Sequence, residues 1–298
     1  MKDKTILITG ATSGIGKETA ITLAKLGATV IFTARSKESG ELTKKEIVEL
    51  SGNDKVDFFE CDLASFESIK SFAENFKNKY NRLDVLINNA GVGETTLKFS
   101  KDNIEMDMAV NYFAPFLLTG LFLPLLKKSA PSRIVNVSSM LHAEGHIDFD
   151  NLTEGKNFER YEMYAQSKLA LILFTRKLAR DLSGSNITVN AMHPGIINTK
   201  ITKELMNKTN IIVKAFFRLK MISEEEAALG IVYLATSPEV QGITGEYFDR
   251  KTKKRSSDES YDMAIAEKLW NFTEKLVPLE VHPNVARQRS ILTNIHNT

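Results

Sequence analysis

A tyrosine and a lysine four residues apart could transfer protons in this sequence. Tyr164 and Lys168 lie in YEMYAQSKLALILFTRKLA, a strongly helical stretch, so both side chains are expected on one helix face. A tyrosine with a pKa near ~10 is a poor base at neutral pH, but a neighbouring ammonium or a bound cationic ring favours its phenolate. Tyr164 is therefore a candidate acid and base. The alternative is a surface pair that only stabilises the helix.

Further polar residues follow predicted strands. Ser139 ends the RIVNVS run, Asn88-Asn89-Ala90-Gly91 closes the DVLIN run, and His193-Pro194-Gly195 follows ITVNAM. Ligands of parallel sheets bind outside the carboxyl ends of the strands, so these groups are expected to converge with Tyr164. Strand alternation places Ser138 and Ser139 on opposite faces.

A glycine-rich turn, TGATSGIG, joins the first predicted strand to the first predicted helix. Its backbone N–H groups can approach a phosphate at the positive end of the helix. The candidate contacts are Gly10, Thr12, Ser13, Gly14, Ile15 and Gly16. The spacing is G-x-x-x-G-x-G, and Ala11 and Glu18 break the P-loop pattern of ATP-binding proteins. The alternative is a tight strand-to-helix connection without a ligand.

The end of the second predicted strand carries Arg35, about twenty residues past the glycine turn. An NAD-binding protein presents an acidic residue to the ribose 2′-hydroxyl at this point. Arg35 can instead bind the 2′-phosphate of NADP by donating two hydrogen bonds to it, so NADP(H) is expected in preference to NAD(H). The alternative is a solvated arginine beside Lys37 and Glu38.

The elements that must position these residues alternate along the chain. Seven short runs read as strands: TILIT, TVIFT, KVDFFE, DVLIN, RIVNVS, ITVNAM and EYFD. Helical patterns separate them, and the first covers 15–26 and stops at Gly27. Right-handed crossovers then produce a doubly wound, Rossmann-type α/β sheet with helices on both faces. The sequence contains no linker, so a single domain over 1–298 is expected, with a C-terminal helix and tail at about 260–298.

Composition excludes several classes of protein. The net charge of +2 argues against a nucleic-acid binder, and one cysteine, Cys61, excludes intramolecular disulfides and favours a reducing, cytoplasmic setting. No signal peptide or transmembrane segment is expected. His142 and His146 have helical metal-ligand spacing, but Gly145 and the lack of a third ligand predict no metal site.

Two segments are long enough to form the walls of a substrate site. One separates Ser139 from Tyr164. The other, at about 200–222, is rich in Ile, Phe and Met and is interpreted as a substrate lid, with ordinary core and a membrane-touching patch as alternatives. An apolar substrate follows from the lid interpretation.

The motifs together resemble those of the short-chain dehydrogenase/reductase family over about residues 4 to 250. They are TGATSGIG, CDL at 61–63, NNAG at 88–91, Asn111, Ser139, YAQSK at 164–168 and HPG at 193–195. GKETA, the long interval from Ser139 to Tyr164, SKLALILFTRKLA, GEYF and EKLWNFTEKL resemble the retinol dehydrogenase-like and WW-domain-oxidoreductase-like branch.

The resemblance implies a role for each matching residue. Ser139 would bind the substrate oxygen, Tyr164 would pass the proton, Lys168 would hold the nicotinamide ribose, and Asn111 would anchor a water relay to Lys168. The further cofactor contacts would be Asp62, Leu63, Asn89, Ala90, Gly91, Pro194, Gly195, Ile197 and Thr199. Asp62 could instead form a turn, Asn111 could be a capping or core amide, and Thr199 could cap a helix.

The expected function is an NADP(H)-dependent oxidoreductase that interconverts an apolar alcohol with its ketone or aldehyde. One alternative is a dinucleotide-binding sensor or scaffold without turnover, since a fold does not establish activity. Another is an epimerase or dehydratase that retains its nucleotide. The resemblance leaves a monomer or a homodimer, the latter pairing through the helices that contain Asn111 and Tyr164.

Overall fold

A parallel sheet lies at the centre of the protein. The computed structural model describes residues 1–197 and 221–277. Its strands are β1 (Thr5–Ile8), β2 (Thr29–Ala34), β3 (Val56–Glu60), β4 (Val85–Asn88), β5 (Ser132–Val137), β6 (Ile187–His193), β7 (Tyr247–Asp249) and β8 (Thr252–Lys254). They are ordered β3-β2-β1-β4-β5-β6-β7-β8, and only β8 runs antiparallel to its neighbour in this described sheet. The doubly wound prediction is confirmed, whereas β8 was not predicted.

Helices connect the strands and cover both faces of the sheet. They are α1 (Gly14–Lys25), α2 (Lys37–Ser51), α3 (Phe66–Lys79), α4 (Met106–Met108), α5 (Ala114–Lys128), α6 (Arg160–Asp181), α7 (Glu224–Thr236) and α8 (Met263–Leu276). Helix α1 begins one residue earlier than predicted, and Gly27 follows its end with a φ of 83°. The helix expected in about 260–298 is α8, and residues beyond 277 lie outside the described part.

Two large hydrophobic clusters, one on each face of the sheet, make up most of the described core. Successive residues of β1 point to opposite faces, so Leu7 packs with α3, α5 and α6, whereas Ile6 and Ile8 pack with α1, α2 and α7. All three side chains have no exposed surface. The apolar runs of the strands therefore reflect burial on both faces, as in other parallel sheets.

Helices α4 and α5 are joined by a π-helical turn, Ala109–Phe113. By length and composition, the continuous stretch Met106–Lys128 could cross a membrane, but 72% of its apolar window is buried inside the protein. It forms the core layer between α3 and α6. π turns are rare and often occur at functional sites, and this one contains Asn111.

Helix α8 packs across α5 and α6. The Trp270 ring lies 4.8 Å from the Phe116 ring on α5 and 5.8 Å from the Phe174 ring on α6. The hydroxyls of Tyr112 and Thr273 are 2.7 Å apart. Segment 263–276 therefore completes the core on this side of the sheet.

Candidate active site

The first and fourth strands meet where the order of the sheet reverses. Ile8 of β1 pairs with Ile87 of β4, so the loops that follow both strands start side by side. The Thr9 hydroxyl accepts hydrogen bonds from the N–H groups of Asn89 (3.1 Å) and Ala90 (3.0 Å). The Asn89 amide donates in return to the carbonyls of Thr9 (2.9 Å) and Gly10 (3.1 Å). The two loops thus form one braced unit at the switch point, where ligands of such sheets bind.

The glycines of the first turn leave room that any other residue would fill. Gly10 has a φ of 68°, and a Cβ there would lie 2.7 Å from the Cα of Ala90. A Cβ at Gly16 would overlap the Gly10 carbonyl oxygen and the Asn89 amide nitrogen. This tight packing brings the backbone of 10–16 to the edge of the crevice.

The beginning of α1 has no side-chain cap from its N-cap residue. The N-cap residue, Ser13, makes no side-chain hydrogen bond to the helix, and the first turn contains no acidic residue. The first N–H groups of a helix need partners, and a phosphate satisfies them together with the helix dipole. Residues Gly10, Thr12, Ser13, Gly14, Ile15 and Gly16 therefore fit the pyrophosphate of a dinucleotide.

The three residues expected to contact the adenosine half of the dinucleotide differ in their surroundings. Arg35 is exposed after β2 and precedes Ser36, whose hydroxyl caps α2. Asp62 accepts a hydrogen bond from Ala64 N (3.0 Å) and forms a 3.1 Å ion pair with Lys101. The turn-forming role that was the alternative for Asp62 is thus present. Leu63 is half-buried and packs against the core cluster of α3. Cofactor contacts by Arg35, Asp62 and Leu63 stay predictions.

Ser139, Tyr164 and Lys168 come together below the switch point. Helix α6 places Lys168 Nζ 5.6 Å from the centre of the Tyr164 ring. The Ser139 side chain lies close enough to the Tyr164 phenol to lower its pKa. Ser138 points elsewhere, since its hydroxyl donates to the Lys168 carbonyl at 2.9 Å. Strand alternation therefore separates the two serines as predicted.

Asn111 links the π turn to the loop after β4. Its Oδ1 accepts from Val92 N (2.8 Å), and its Nδ2 donates to Val92 O (2.9 Å) and to the Ser167 hydroxyl (2.9 Å). Lys168 Nζ donates to Val137 O at 3.1 Å. A Cβ on Gly91 would lie 3.0 Å from Lys168 Nζ and 3.2 Å from Asn111 Oδ1, so both groups border this glycine.

Burial governs the charges of the pair on α6. It raises the pKa of Tyr164 to about 12, against the lowering effect of the nearby Ser139 side chain. It also lowers the pKa of Lys168 to about 8. Desolvation of the phenolate therefore opposes the stabilisation expected from a neighbouring ammonium, and that expectation stays a prediction. Tyr164 is a phenol at neutral pH, the form that donates a proton.

His142 supports Ser139, a role that the sequence did not reveal. Its Nδ1 lies 2.6 Å from the Ser139 carbonyl oxygen, and its Nε2 accepts from Ser257 N at 3.2 Å. A carbonyl only accepts and an N–H only donates, so the ring carries its proton on Nδ1. Burial lowers its pKa, which keeps it neutral. His146 instead contacts Glu259 at 2.9 Å. Within 1–197 and 221–277, no cluster of three His, Cys, Asp or Glu is arranged to hold a metal.

The HPG turn after β6 lies at the same edge. Pro194 is buried, Gly195 has a φ of 107°, and Ile197 is half-buried against the cluster of α1 and α7. Ile196 pairs with Met221, and Ile222 N donates to Ile196 O at 2.9 Å. Thr199 and all of the predicted lid except 221–222 lie outside the described residues.

Comparison with known proteins identifies the family. The profile of the family described as short chain dehydrogenase matches residues 4–210. The chain belongs to the short-chain dehydrogenase family. It is 40% identical to mouse (Mus musculus) retinol dehydrogenase 13 over 294 residues, 97% of this chain and 88% of that protein. It is 41% identical to human (Homo sapiens) retinol dehydrogenase 14 over 298 residues, 94% of this chain and 88% of that protein.

A solved structure supports the same family assignment. A short-chain dehydrogenase from Shigella flexneri complexed with NADP superposes with a TM-score of 0.68 at 27% identity, covering 84% of this chain and 98% of that one. This short-chain dehydrogenase is therefore an oxidoreductase acting on CH–OH or C=O groups, in the retinol dehydrogenase-like branch.

The short-chain dehydrogenase also contains a buried polar ladder beneath its crevice. Asn88 Nδ2 donates to Asn136 Oδ1 at 2.8 Å, and Asn136 Nδ2 donates to the Thr175 hydroxyl at 2.8 Å. The ladder ties β4 and β5 to α6, the helix of Tyr164. Polar residues inside apolar strand and helix patterns are the signal that could have located it.

Proposed function

We propose that the protein is an NADP(H)-dependent oxidoreductase that interconverts an apolar alcohol with its aldehyde or ketone, with Tyr164 as the acid and base. The observation that carries the proposal is that the side chains of Ser139, Tyr164 and Lys168 come together, with Lys168 Nζ 5.6 Å from the centre of the phenol ring. Three groups with complementary protonation roles meet at one edge of the sheet. A binding protein without turnover has no use for that arrangement.

The cofactor would lie along the crevice. The turn at 10–16 would hold its pyrophosphate, Arg35 its 2′-phosphate, and Asp62 with Leu63 its adenine. Asn89, Ala90, Gly91, Pro194, Gly195, Ile197 and Thr199 would line it towards the nicotinamide, and Lys168 would hold the adjacent ribose. When bound, the nicotinamide supplies or accepts a hydride at the substrate carbon.

The chain's own groups move the proton. In the direction of reduction, the hydroxyls of Ser139 and Tyr164 bind the carbonyl oxygen, and Tyr164 gives it a proton. The Lys168 ammonium then stabilises the phenolate that remains, because the site is buried and the attraction is weakly screened. In the direction of oxidation, the same phenolate removes the proton of the alcohol. Asn111 holds the loop at Val92 and positions Ser167 next to Tyr164 and Lys168.

An apolar substrate is supported by the described surroundings of Ser139. Met140 follows Ser139 directly and is 45% exposed. Ile197, Met221 and Ile222 are partly exposed at the end of β6 on the same edge. The similarity to retinol dehydrogenases 13 and 14 points to alcohols of the same apolar kind.

Replacement of the phenol tests the proposal. Tyr164→Phe should lower the rate of NADPH-dependent reduction of apolar aldehydes by at least about a hundredfold, since proton transfer contributes about 10²–10⁴-fold. NADPH affinity, measured by nicotinamide fluorescence, should change less than about threefold. Tyr233→Phe, which removes an exposed hydroxyl hydrogen-bonded to Glu239, is the control and should keep full activity. Unimpaired turnover in Tyr164→Phe would overturn the mechanism, and NADPH binding without wild-type turnover of any carbonyl would favour the sensor or scaffold.

A cytoplasmic location is also part of the proposal. It is supported by the single cysteine, Cys61, which is buried as a free thiol. Cell fractionation with an antibody against the native chain would test it.

A further inference from the structure

Asp107 is a buried carboxylate that the proposed mechanism does not use. Its side chain has no exposed surface. Oδ1 accepts a hydrogen bond from Glu94 N at 3.0 Å, whereas Oδ2 has no hydrogen-bond partner among the described residues. A half-satisfied buried carboxylate lowers stability, so its presence calls for a reason.

The position of Asp107 relates it to the groups on α6. Asp107 lies four residues before Asn111 on the same helical face. The two side chains bind alternate residues of one segment, Asn111 at Val92 N and Asp107 at Glu94 N. Gly91, which begins that segment, borders Lys168 Nζ. The carboxylate is therefore held on the side of the helix that faces Lys168 and Tyr164.

Lys168 is a buried cation without an adjacent carboxylate. In the described part of the chain its Nζ donates to a neutral carbonyl, that of Val137, and forms no ion pair. The charge of Asp107 acts on both Lys168 and Tyr164 across the buried interior. A buried charge without compensation is unfavourable, so a carboxylate at this place stabilises the ammonium.

Other charged groups also face Asp107. Glu105 is the N-cap residue of α4, the helix that contains Asp107. Its two carboxylate oxygens accept hydrogen bonds from the N–H groups of Asp107 and Met108. Glu94 packs from the loop and forms a 2.6 Å ion pair with Lys98. From α6, besides Tyr164 and Lys168, the Arg160 guanidinium donates to Gly93 O at 3.1 Å.

We infer that Asp107 is the buried counter-charge of Lys168, which keeps Lys168 an ammonium and Tyr164 a phenol and so sets the pH range of each reaction direction. The inference rests on the proposed function. Asp107 touches neither substrate nor cofactor and is a positioning residue that acts through the pair on α6.

The sign of the effect follows from the charges. Burial and the neighbouring Glu105 raise the pKa of Asp107 to about 7, so it is ionised above neutrality. Its negative charge raises the pKa of Lys168 and of Tyr164. Asp107→Asn removes that charge and should lower both values. Reduction needs the ammonium and the phenol, so its alkaline limb should move to lower pH. Oxidation needs the phenolate, so its acid limb should also move to lower pH.

The test is the pH profile of both directions in Asp107→Asn. Each limb should move down by about half a pH unit or more, with the maximal rate within about threefold of wild type. Glu105→Gln is the matched control, because it removes a buried carboxylate of the same turn that does not act on Lys168. Its alkaline limb should stay in place. An unchanged profile in Asp107→Asn, or an equal shift in both variants, would overturn the inference.

Melting temperatures of Asp107→Asn at two pH values test separately whether Asp107 is a buried carboxylate with a raised pKa. The raised pKa of Asp107 means that the folded state binds a proton that the unfolded state has lost, so Asp107 lowers stability progressively as pH rises from 3.8 to about 7. The difference in melting temperature between Asp107→Asn and the wild type should therefore be more positive at pH 8 than at pH 5, and a difference that is equal or more negative at pH 8 would contradict the burial argument. Unimpaired turnover in Tyr164→Phe would contradict the proposed function. If Tyr164→Phe is inactive but the pH profile of Asp107→Asn does not shift, only this inference is contradicted.

Discussion

Arg35 is the residue on which the choice of cofactor depends. It is exposed, so its guanidinium can turn to a phosphate without breaking a buried contact. A planar cation binds a phosphate through two parallel hydrogen bonds, which a ribose hydroxyl cannot match.

Arg35→Ala should erase a preference for NADPH over NADH of at least about tenfold, equal to about 1.4 kcal/mol. Titration of nicotinamide fluorescence with both nucleotides measures the difference. Lys37→Ala, which removes an exposed cation two residues away, is the control and should keep the preference. Equal binding of the two nucleotides by the wild type would contradict the NADP assignment.

His142 holds the backbone of Ser139 through one nitrogen and Ser257 through the other. The Asn side chain reaches the Nδ1 position, and the Gln side chain reaches the Nε2 position. His142→Asn can therefore keep the bond to Ser139, whereas His142→Gln can keep only the bond to Ser257.

We expect His142→Gln to lower kcat by about tenfold, or about 1.4 kcal/mol, because the Ser139 carbonyl loses its donor, and His142→Asn to lower it less. NADPH affinity should stay constant in both. Steady-state reduction rates provide the measurement. Similar losses in the two variants would show that His142 acts only through overall stability.

At the scale of elements, the ladder of Asn88, Asn136 and Thr175 fixes α6 against the sheet. Each member of the ladder is essentially buried. Removal of the Thr175 hydroxyl would leave the Asn136 amide without its acceptor in a dry environment. The helix that holds Tyr164 and Lys168 is thus positioned by polar contacts as well as by apolar packing.

Thr175→Val should lower the free energy of unfolding by about 1–3 kcal/mol, since the shape is kept and one buried donor is left unpaired. Urea unfolding followed by circular dichroism measures the change. Thr22→Val, on the partly exposed side of α1, should stay within about 0.5 kcal/mol of wild type. A Thr175→Val variant as stable as the control would mean that the amide finds another acceptor.

The elements show which features a sequence can predict. The seven short apolar runs and the glycine turn are patterns of neighbouring residues. They were therefore enough to predict β1 to β7 and the start of α1. Strand β8 was not predictable, because its three exposed residues, Thr252–Lys254, read as a charged loop, although they pair with β7. The pairing of Asn136 with Thr175 joins residues 39 positions apart, so polar residues inside apolar runs could mark the two positions but not that they pair with each other. Asp107 reads as an ordinary polar position until the fold buries it.

At the scale of the whole molecule, α8 covers the surface that the family resemblance assigned to dimer contacts. Trp270 fills the space between Phe116 and Phe174, and Lys177 lies 4.9 Å from the centre of its ring. Glu267 of α8 forms ion pairs with Lys177 (3.4 Å) and Arg180 (3.2 Å) of α6. A partner subunit at this face would have to displace these contacts.

We expect a mass near the 33.4 kDa of one chain in light scattering after size exclusion. Trp270→Ala should lower stability by about 3 kcal/mol, because it empties an aromatic site between two helices. Leu229→Ala, at an exposed position on α7, should have little effect. A mass of two chains that survives in Trp270→Ala would show that pairing uses another surface.

The bridge between Ile196 and Met221 holds these two residues next to each other at the end of β6. The cost of closing a loop grows only with the logarithm of its length. Insertions, deletions or whole replacements between these two anchors should therefore change the free energy of unfolding little, while Ser139, Tyr164 and Lys168 keep their supports in β5 and α6. Residues Ile196 and Met221 are therefore the two positions at which a segment from another family member can be grafted.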